Sequence, residues 1–166
     1  MAIVSPSLLA ADRNNFSGEI IRVRDLGATW IHYDMMDGKF VPNFSFPKEV
    51  IKETHNIPNI LKDVHIMIDD PLNHVEEYID AGAELLTFHI EAVKDYSEIA
   101  KTMAKIKHFG VKVGLSIKPK TNPEEVIPFI NDLDLVLVMS VEPGLGGQKF
   151  MPNALDKISY LRKYID

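Results

Sequence analysis

Two histidines and one aspartate occur at spacings that would let them bind one metal ion. His32 and Asp34 lie in the segment IHYDMMDGKF, and His65 lies in DVHIMIDDP. Residues two apart on a β-strand face the same side, and neighbouring strands lie about 4.8 Å apart. The spacing therefore predicts one divalent ion, Zn(II) first with Fe(II), Mn(II) or Co(II) as alternatives. The competing interpretation is that each histidine simply belongs to the core.

Three methionines also lie where predicted strands end. Met36 continues the two-residue spacing of the first histidine segment, Met67 lies two residues after His65, and Met139 ends a later apolar run. Methionine often fills a core because its side chain is flexible and apolar. The equivalent positions of these three favour a second interpretation, in which they form a soft wall that excludes water from a bound molecule.

A glycine-rich segment, GLGGQK, follows the last predicted strand and contains residues 144–147. It has neither the spacing and Ser/Thr of a Walker A motif nor the GxGxxG pattern. Taken alone, it indicates a flexible turn. After the sixth strand of a β/α barrel, however, such a loop can present backbone amides to a phosphate group.

Six short apolar runs would position these residues, and a turn and an amphipathic segment follow each run. The runs begin roughly 22 to 31 residues apart, which is the length of one strand plus a crossover helix. They cover residues 3–9, 30–35, 61–67, 85–89, 111–117 and 133–139. Repeated β-α units predict a parallel sheet with right-handed crossovers, in either an open sheet or a closed barrel.

The segments between these runs carry signals for the ends of helices. Asp70 predicts a helix start and Gly82 its end, and Asp95 predicts the start of the next helix. Pro128 should shorten or kink the helix in which it lies. The last helix carries three apolar residues on one side, namely Leu155, Ile158 and Leu161.

Composition excludes several classes of protein. With 166 residues, 46% of them apolar and 25% charged, the chain is typical of one soluble globular domain over residues 1–166. The net charge of −6 argues against a nucleic-acid partner, and the lack of cysteine excludes disulfides and thiol nucleophiles. No signal peptide or membrane span is evident. These features predict a cytoplasmic protein without nucleic-acid or membrane partners.

Four segments together resemble the signature segments of ribulose-phosphate 3-epimerases, in the same order and at the same strand positions. They are HYDMMDGKFVPN, DVHIMIDDP, TFHIEA and VMSVEPGLGGQKF. The resemblance runs from SPSLLAAD to the final helix. It implies an α/β fold, a parallel (β/α)8 TIM barrel of which this chain would hold the first six β/α units. It also implies a homo-oligomer.

The activity that the resemblance implies is an isomerase of the pentose phosphate pathway. Such an enzyme interconverts D-ribulose 5-phosphate and D-xylulose 5-phosphate through an enediolate, which a divalent metal stabilises after a carboxylate removes the proton at carbon 3. His32, Asp34 and His65 match metal ligands, and Asp34 also matches a catalytic acid/base. The implied substrate contacts are Ser7, Met36, His65, Met67, Met139, Gly144, Leu145, Gly146 and Gly147.

The family pattern continues with a seventh strand, which supplies a second catalytic Asp and a fourth metal ligand. We therefore expect little or no epimerase activity from a chain of these 166 residues alone. Two alternatives follow: a 3-epimerase for a hexulose phosphate such as allulose 6-phosphate, and a catalytically inactive barrel fragment.

One further pair, His89 and Glu91, has the H-x-E spacing of nucleobase deaminases. Without cysteine the zinc site of those enzymes cannot be built. We therefore expect His89 to support the site from outside the set of metal ligands, or to be structural.

Overall fold

A parallel sheet forms the centre of the protein in the computed structural model, which describes residues 2–165. Its five strands follow one another in chain order. They are β1 (Trp30–Met36), β2 (Leu61–Met67), β3 (Leu85–His89), β4 (Lys112–Ile117) and β5 (Leu135–Val138). Every neighbouring pair is parallel, which confirms the predicted α/β class.

The first apolar run, residues 3–9, lies along β1 without forming a strand of its own. Ser7 pairs with His32 through an isolated parallel bridge, and the His32 N–H donates to the Pro6 carbonyl at 2.8 Å. The last two residues of the run already belong to a short 3-10 helix, Leu8–Ala10, and the Ser7 hydroxyl caps its start by accepting the Leu9 N–H. The run thus occupies the place of a first barrel strand, while the full set of six units stays a prediction.

Five α-helices connect these elements within residues 2–165. They are α1 (Phe16–Asp25), α2 (Glu49–Thr54), α3 (Pro71–Ala81), α4 (Tyr96–His108) and α5 (Asn153–Arg162). Asp95 caps α4 as predicted, since its carboxylate accepts the Glu98 N–H at 2.9 Å. Gly82 ends α3 with a φ of 112°, a conformation that glycine adopts without strain. None of the described helices combines the length and the apolar character needed to cross a membrane.

Three details of the helices differ from the simplest sequence expectation. Asp70 lies at the start of α3, but its carboxylate accepts from the Asn73 side chain rather than from a backbone N–H, because its own backbone is left-handed. The segment around Pro128 is a 3-10 helix over its whole length, Pro123–Asp132. Of the predicted stripe on α5 only Leu161 is buried, and the other two apolar residues are half exposed.

The alternation of β1 separates a structural face from a polar face. Ile31, Tyr33 and Met35 are buried in the main apolar core, and the Tyr33 hydroxyl contacts Thr54 of α2 at 2.8 Å. Successive strand residues face opposite sides, so His32 and Asp34 face away from these helices. On that second face Met36, Met67 and Val41 form a separate small apolar cluster.

Candidate metal and active site

His32, Asp34 and His65 come together at neighbouring positions of β1 and β2. Asp34 and His65 are paired in the strand register, and His32 precedes Asp34 on the same face. The Asp34 Oδ1 atom lies 3.2 Å from His32 Nε2 and 3.1 Å from His65 Nδ1. One ligand atom from each of the three residues lies within 4.8 Å of the others. Two imidazole nitrogens and a carboxylate oxygen at this separation suit a divalent transition metal.

The electrostatics of this cluster are set by burial and by opposite charges. Burial disfavours a charged His32, but hydrogen bonds and charges from Asp34 and Asp63 outweigh it and raise the pKa of His32 to about 10. Burial also opposes ionisation of Asp34, yet the two histidines outweigh it and hold its pKa far below the usual range. Burial lowers the pKa of His65. In the metal-free protein the negative charge of Asp34 is therefore balanced by a protonated His32. A divalent cation at this site would supply that positive charge instead.

Asp63 is a contributor to the site that the sequence analysis missed. Its Oδ2 atom lies 2.7 Å from His32 Nδ1 and accepts a hydrogen bond from the Ser5 hydroxyl at 3.1 Å. A carboxylate at Nδ1 keeps a proton there and leaves the Nε2 lone pair free for a metal. The two-residue spacing of Asp63 and His65 in DVHIM places both on one strand face, which is the signal that could have identified it.

His89 contacts the cluster from β3 without belonging to it. Its Nε2 atom lies 2.9 Å from His65 Nε2, and its Nδ1 atom lies 3.0 Å from Glu91 Oε2. The ring is fully buried, with the ring of Phe40 centred 4.9 Å away. Burial lowers the pKa of His89 to about 4, so its imidazole is neutral at physiological pH.

A cleft of about 410 Å³ opens at the ends of β1, β2 and β5 and brings together most of the predicted substrate contacts. Asp34 borders it, and the Ser7 hydroxyl donates to Asp34 Oδ2 at 2.5 Å. The other predicted residues on its wall are Met36, Met67, Met139 and residues 144–147. His65 does not line the cleft, because it is buried behind Asp34. His32 borders a second hollow of about 480 Å³, together with Asp63.

The glycine loop is held in place at the rim of the cleft. Gly144 has a φ of 108°, and a Cβ atom there would lie 3.0 Å from the Val41 side chain, so this position requires glycine. The Asn43 side-chain amide donates to the Gly144 carbonyl at 2.9 Å. The Gln148 amide donates to the Leu145 carbonyl at 2.8 Å. These bonds fix the peptide planes of the loop beside Asp34.

The fold and the site together define the class of protein, an α/β barrel-like fold with a polar cluster near the ends of parallel strands. Solved structures support the fold. KGPDC from Streptococcus mutans matches with a TM-score of 0.53 at 14% identity, over 96% of this chain and 73% of that one. Dihydropteroate synthase from Xanthomonas albilineans matches with a TM-score of 0.54 at 15% identity, over 99% and 69%.

Sequence comparison identifies the family. The sequence model of the Ribulose-phosphate 3 epimerase family matches residues 3–166, and the chain belongs to this family. The ribulose-phosphate 3-epimerase of Schizosaccharomyces pombe is 42% identical over 98% of this chain and 71% of its own length. The cytoplasmic isoform of Oryza sativa is 43% identical over 98% and 72%. The Mycobacterium tuberculosis enzyme is 40% identical over 99% and 69%. The family predicted from the sequence is confirmed.

Proposed function

We propose that this chain acts at carbon 3 of a ketose phosphate, with D-ribulose 5-phosphate and D-xylulose 5-phosphate as its substrate pair. Relatives at 42% and 43% identity carry the name ribulose-phosphate 3-epimerase. The observation that carries the proposal is the placement of Asp34. One of its oxygens faces the two histidines, and the other faces Ser7 at the cleft.

Asp34 is in the form that can act as a base for carbon 3. It is ionised because the two histidines hold its pKa far below the usual range. A carboxylate with so low a pKa is a weak base, so the proposal depends on the acidity that a divalent ion would give to carbon 3. The hydrogen bond from Ser7 orients its Oδ2 atom beside the cleft. A divalent ion held by His32, Asp34 and His65 would stabilise the negative charge that develops on the ketose oxygens.

The rest of the cleft suits the two ends of such a substrate. Met36, Met67 and Met139 line its wall, and their thioether chains exclude water from the reacting carbons. The loop of residues 144–147 borders the same cleft, and we propose that its backbone amides bind the phosphate. A phosphate site made of backbone amides is compatible with the net charge of −6.

The first half of this reaction can be tested separately from the second. Inversion needs a proton returned on the opposite face, whereas exchange of the carbon 3 proton with solvent needs only one base. In D₂O with Zn(II) or Mn(II), we expect the chain to exchange the carbon 3 proton of ribulose 5-phosphate, as measured by ¹H NMR. Formation of xylulose 5-phosphate is measured in the same samples.

Asp34→Asn should slow this exchange by about 10²-fold or more, because the amide cannot accept the proton. Asp132→Asn is the matched control, since Asp132 is an exposed residue that pairs only with Lys107 among the described residues. Exchange that persists in Asp34→Asn, or a wild-type chain that neither exchanges the proton nor forms product, would overturn the proposal.

A further inference from the structure

A buried hydrogen-bonded chain leads from Glu91 to the candidate metal ligand His65. Glu91 Oε1 accepts the Lys118 N–H at 2.7 Å and also accepts the Thr121 hydroxyl. Its other oxygen, Oε2, lies 3.0 Å from His89 Nδ1, and His89 Nε2 lies 2.9 Å from His65 Nε2. These hydrogen bonds join His65 within β2, His89 at the end of β3, Glu91 just after β3 and Lys118 just after β4.

The donors and acceptors at the Glu91 end favour one direction for these hydrogen bonds. An ionised carboxylate only accepts, so the His89 Nδ1 atom must carry the hydrogen that faces Glu91. A neutral imidazole with a hydrogen on Nδ1 has its lone pair on Nε2. His89 therefore accepts a hydrogen bond from His65, whose Nε2 must carry a hydrogen. At the other end of the series His65 Nδ1 lies 3.1 Å from Asp34 Oδ1, and in the metal-free protein that carboxylate also accepts a hydrogen. A metal ion on Nδ1 would take the place of that hydrogen and leave the hydrogen of His65 on Nε2, in the direction that Glu91 and His89 require.

We infer that Glu91 and His89 are positioning residues that fix the tautomer of His65 and present its Nδ1 lone pair to the metal. This inference rests on the proposed function, in which His65 is a ligand of a divalent ion. His32 receives an equivalent constraint from Asp63 at its Nδ1 atom, so each histidine ligand has its second nitrogen engaged. The two histidines thereby bind through different nitrogens, Nε2 of His32 and Nδ1 of His65.

The surrounding residues hold Glu91, His89 and His65 in one hydrogen-bonded arrangement. His89 is fully buried, and its ring packs against His65 and Phe40 with centroids 4.9 Å apart in both pairs. Glu91 cannot turn freely, because its two oxygens have different partners on opposite sides. If the hydrogen bond between Glu91 and His89 is reversed, the side chains cannot rotate to restore it. The hydrogen bond between His89 and His65 should therefore reverse as well.

Glu91→Gln is the substitution that reverses the direction without changing the shape. The glutamine oxygen would remain with the Lys118 N–H and the Thr121 hydroxyl, so its NH₂ group would face His89 and donate. His89 would then carry its hydrogen on Nε2, and His65 would have to accept there. The hydrogen of His65 would move to Nδ1, where it blocks metal binding.

Two measurements test this inference. Long-range ¹H–¹⁵N NMR of the Zn(II)-loaded wild type should show a hydrogen on His65 Nε2 and the metal on Nδ1, and the metal-free Glu91→Gln protein should show a lone pair on Nε2 and a hydrogen on Nδ1. Titration with Co(II) should show about 10- to 100-fold weaker binding by Glu91→Gln. Thr121→Val is the matched variant, because it removes one hydrogen bond to Glu91 but leaves the direction unchanged. Its His65 tautomer should be that of the wild type, and its affinity should stay within about threefold.

Glu84→Gln controls for the substitution itself, since Glu84 accepts the Lys62 N–H at the opposite ends of the strands. A Zn(II)-loaded wild type that binds the metal through His65 Nε2 would overturn the inference, whether or not the variants fold. So would a Glu91→Gln protein with unchanged tautomer and affinity. A wild-type chain that binds no Co(II) would refute the proposed metal site and the inference with it, whereas wild-type binding that Glu91→Gln retains in full would refute the inference alone.

Discussion

At the residue scale, the site is organised around the two oxygens of Asp34. One oxygen lies within 3.2 Å of a nitrogen of each histidine, and the other accepts the Ser7 hydroxyl at 2.5 Å. In the metal-free protein the positive charge next to Asp34 is the proton on His32, whose pKa is raised to about 10. A metal ion must displace that proton, because only the neutral imidazole is a ligand.

Metal affinity should therefore increase with pH. At a pH below its pKa of about 10, His32 is protonated in the metal-free protein. The metal must displace this proton, so binding weakens as the pH falls. Between pH 6 and 8 the apparent association constant should rise by up to about tenfold per pH unit. Calorimetry in buffers of different ionisation enthalpy should show release of about one proton. Affinity that is constant over this range would contradict the assigned charge state.

Asp63 should matter for metal binding although it is not a ligand. It holds Nδ1 of His32 at 2.7 Å, and Asp63→Ala would leave that ring free to turn or to change tautomer. We expect affinity for Zn(II) to fall by about 10- to 100-fold. Asp69→Ala, an exposed aspartate that follows the same strand, should bind as the wild type does. If Asp63→Ala binds Zn(II) as tightly as the wild type, the orientation of the His32 ring does not depend on Asp63.

At the element scale, the strands were the most predictable part. The predicted runs of β2 and β3 match the observed strands to the residue, because their apolar residues are rich in strand-forming types and turn signals follow them. The two-residue spacing on β1 and β2 also placed His32, Asp34 and His65 on the correct faces. The pairing of His32 with Asp63 depends on the register between two strands, which neither segment encodes by itself.

Helix burial was less predictable, because it depends on what each helix packs against. Leu155, Ile158 and Leu161 share a side by spacing, yet their exposed fractions are 57%, 50% and 2%. Leu161→Ala should therefore lower the free energy of unfolding by about 2 to 5 kcal/mol through loss of buried contacts. Leu155→Ala should change it by less than about 0.5 kcal/mol. Urea denaturation measures both, and equal losses would contradict the burial of α5 described above.

At the scale of the whole molecule, the candidate metal cluster lies between two hollows. The cleft with Asp34 and the glycine loop lies on one side, and the hollow with His32, Asp63 and residues of β5 lies on the other. The chain spans 71% of the length of its S. pombe relative. The homo-oligomer and the cytoplasmic location predicted from the sequence stay predictions.

The central claim is that His32, Asp34 and His65 form one metal site, and measuring the metal content of the protein tests it most directly. After incubation with Co(II) and removal of the excess, elemental analysis of the wild-type chain should give one ion per chain, with absorption bands of a nitrogen- and oxygen-ligated site. The double variant His32→Asn/His65→Asn should retain none. His74→Asn, at an exposed histidine that pairs with Glu77, should bind as the wild type does. A wild-type chain without bound metal, or a double variant with undiminished content, would contradict the claim that these three residues form one metal site.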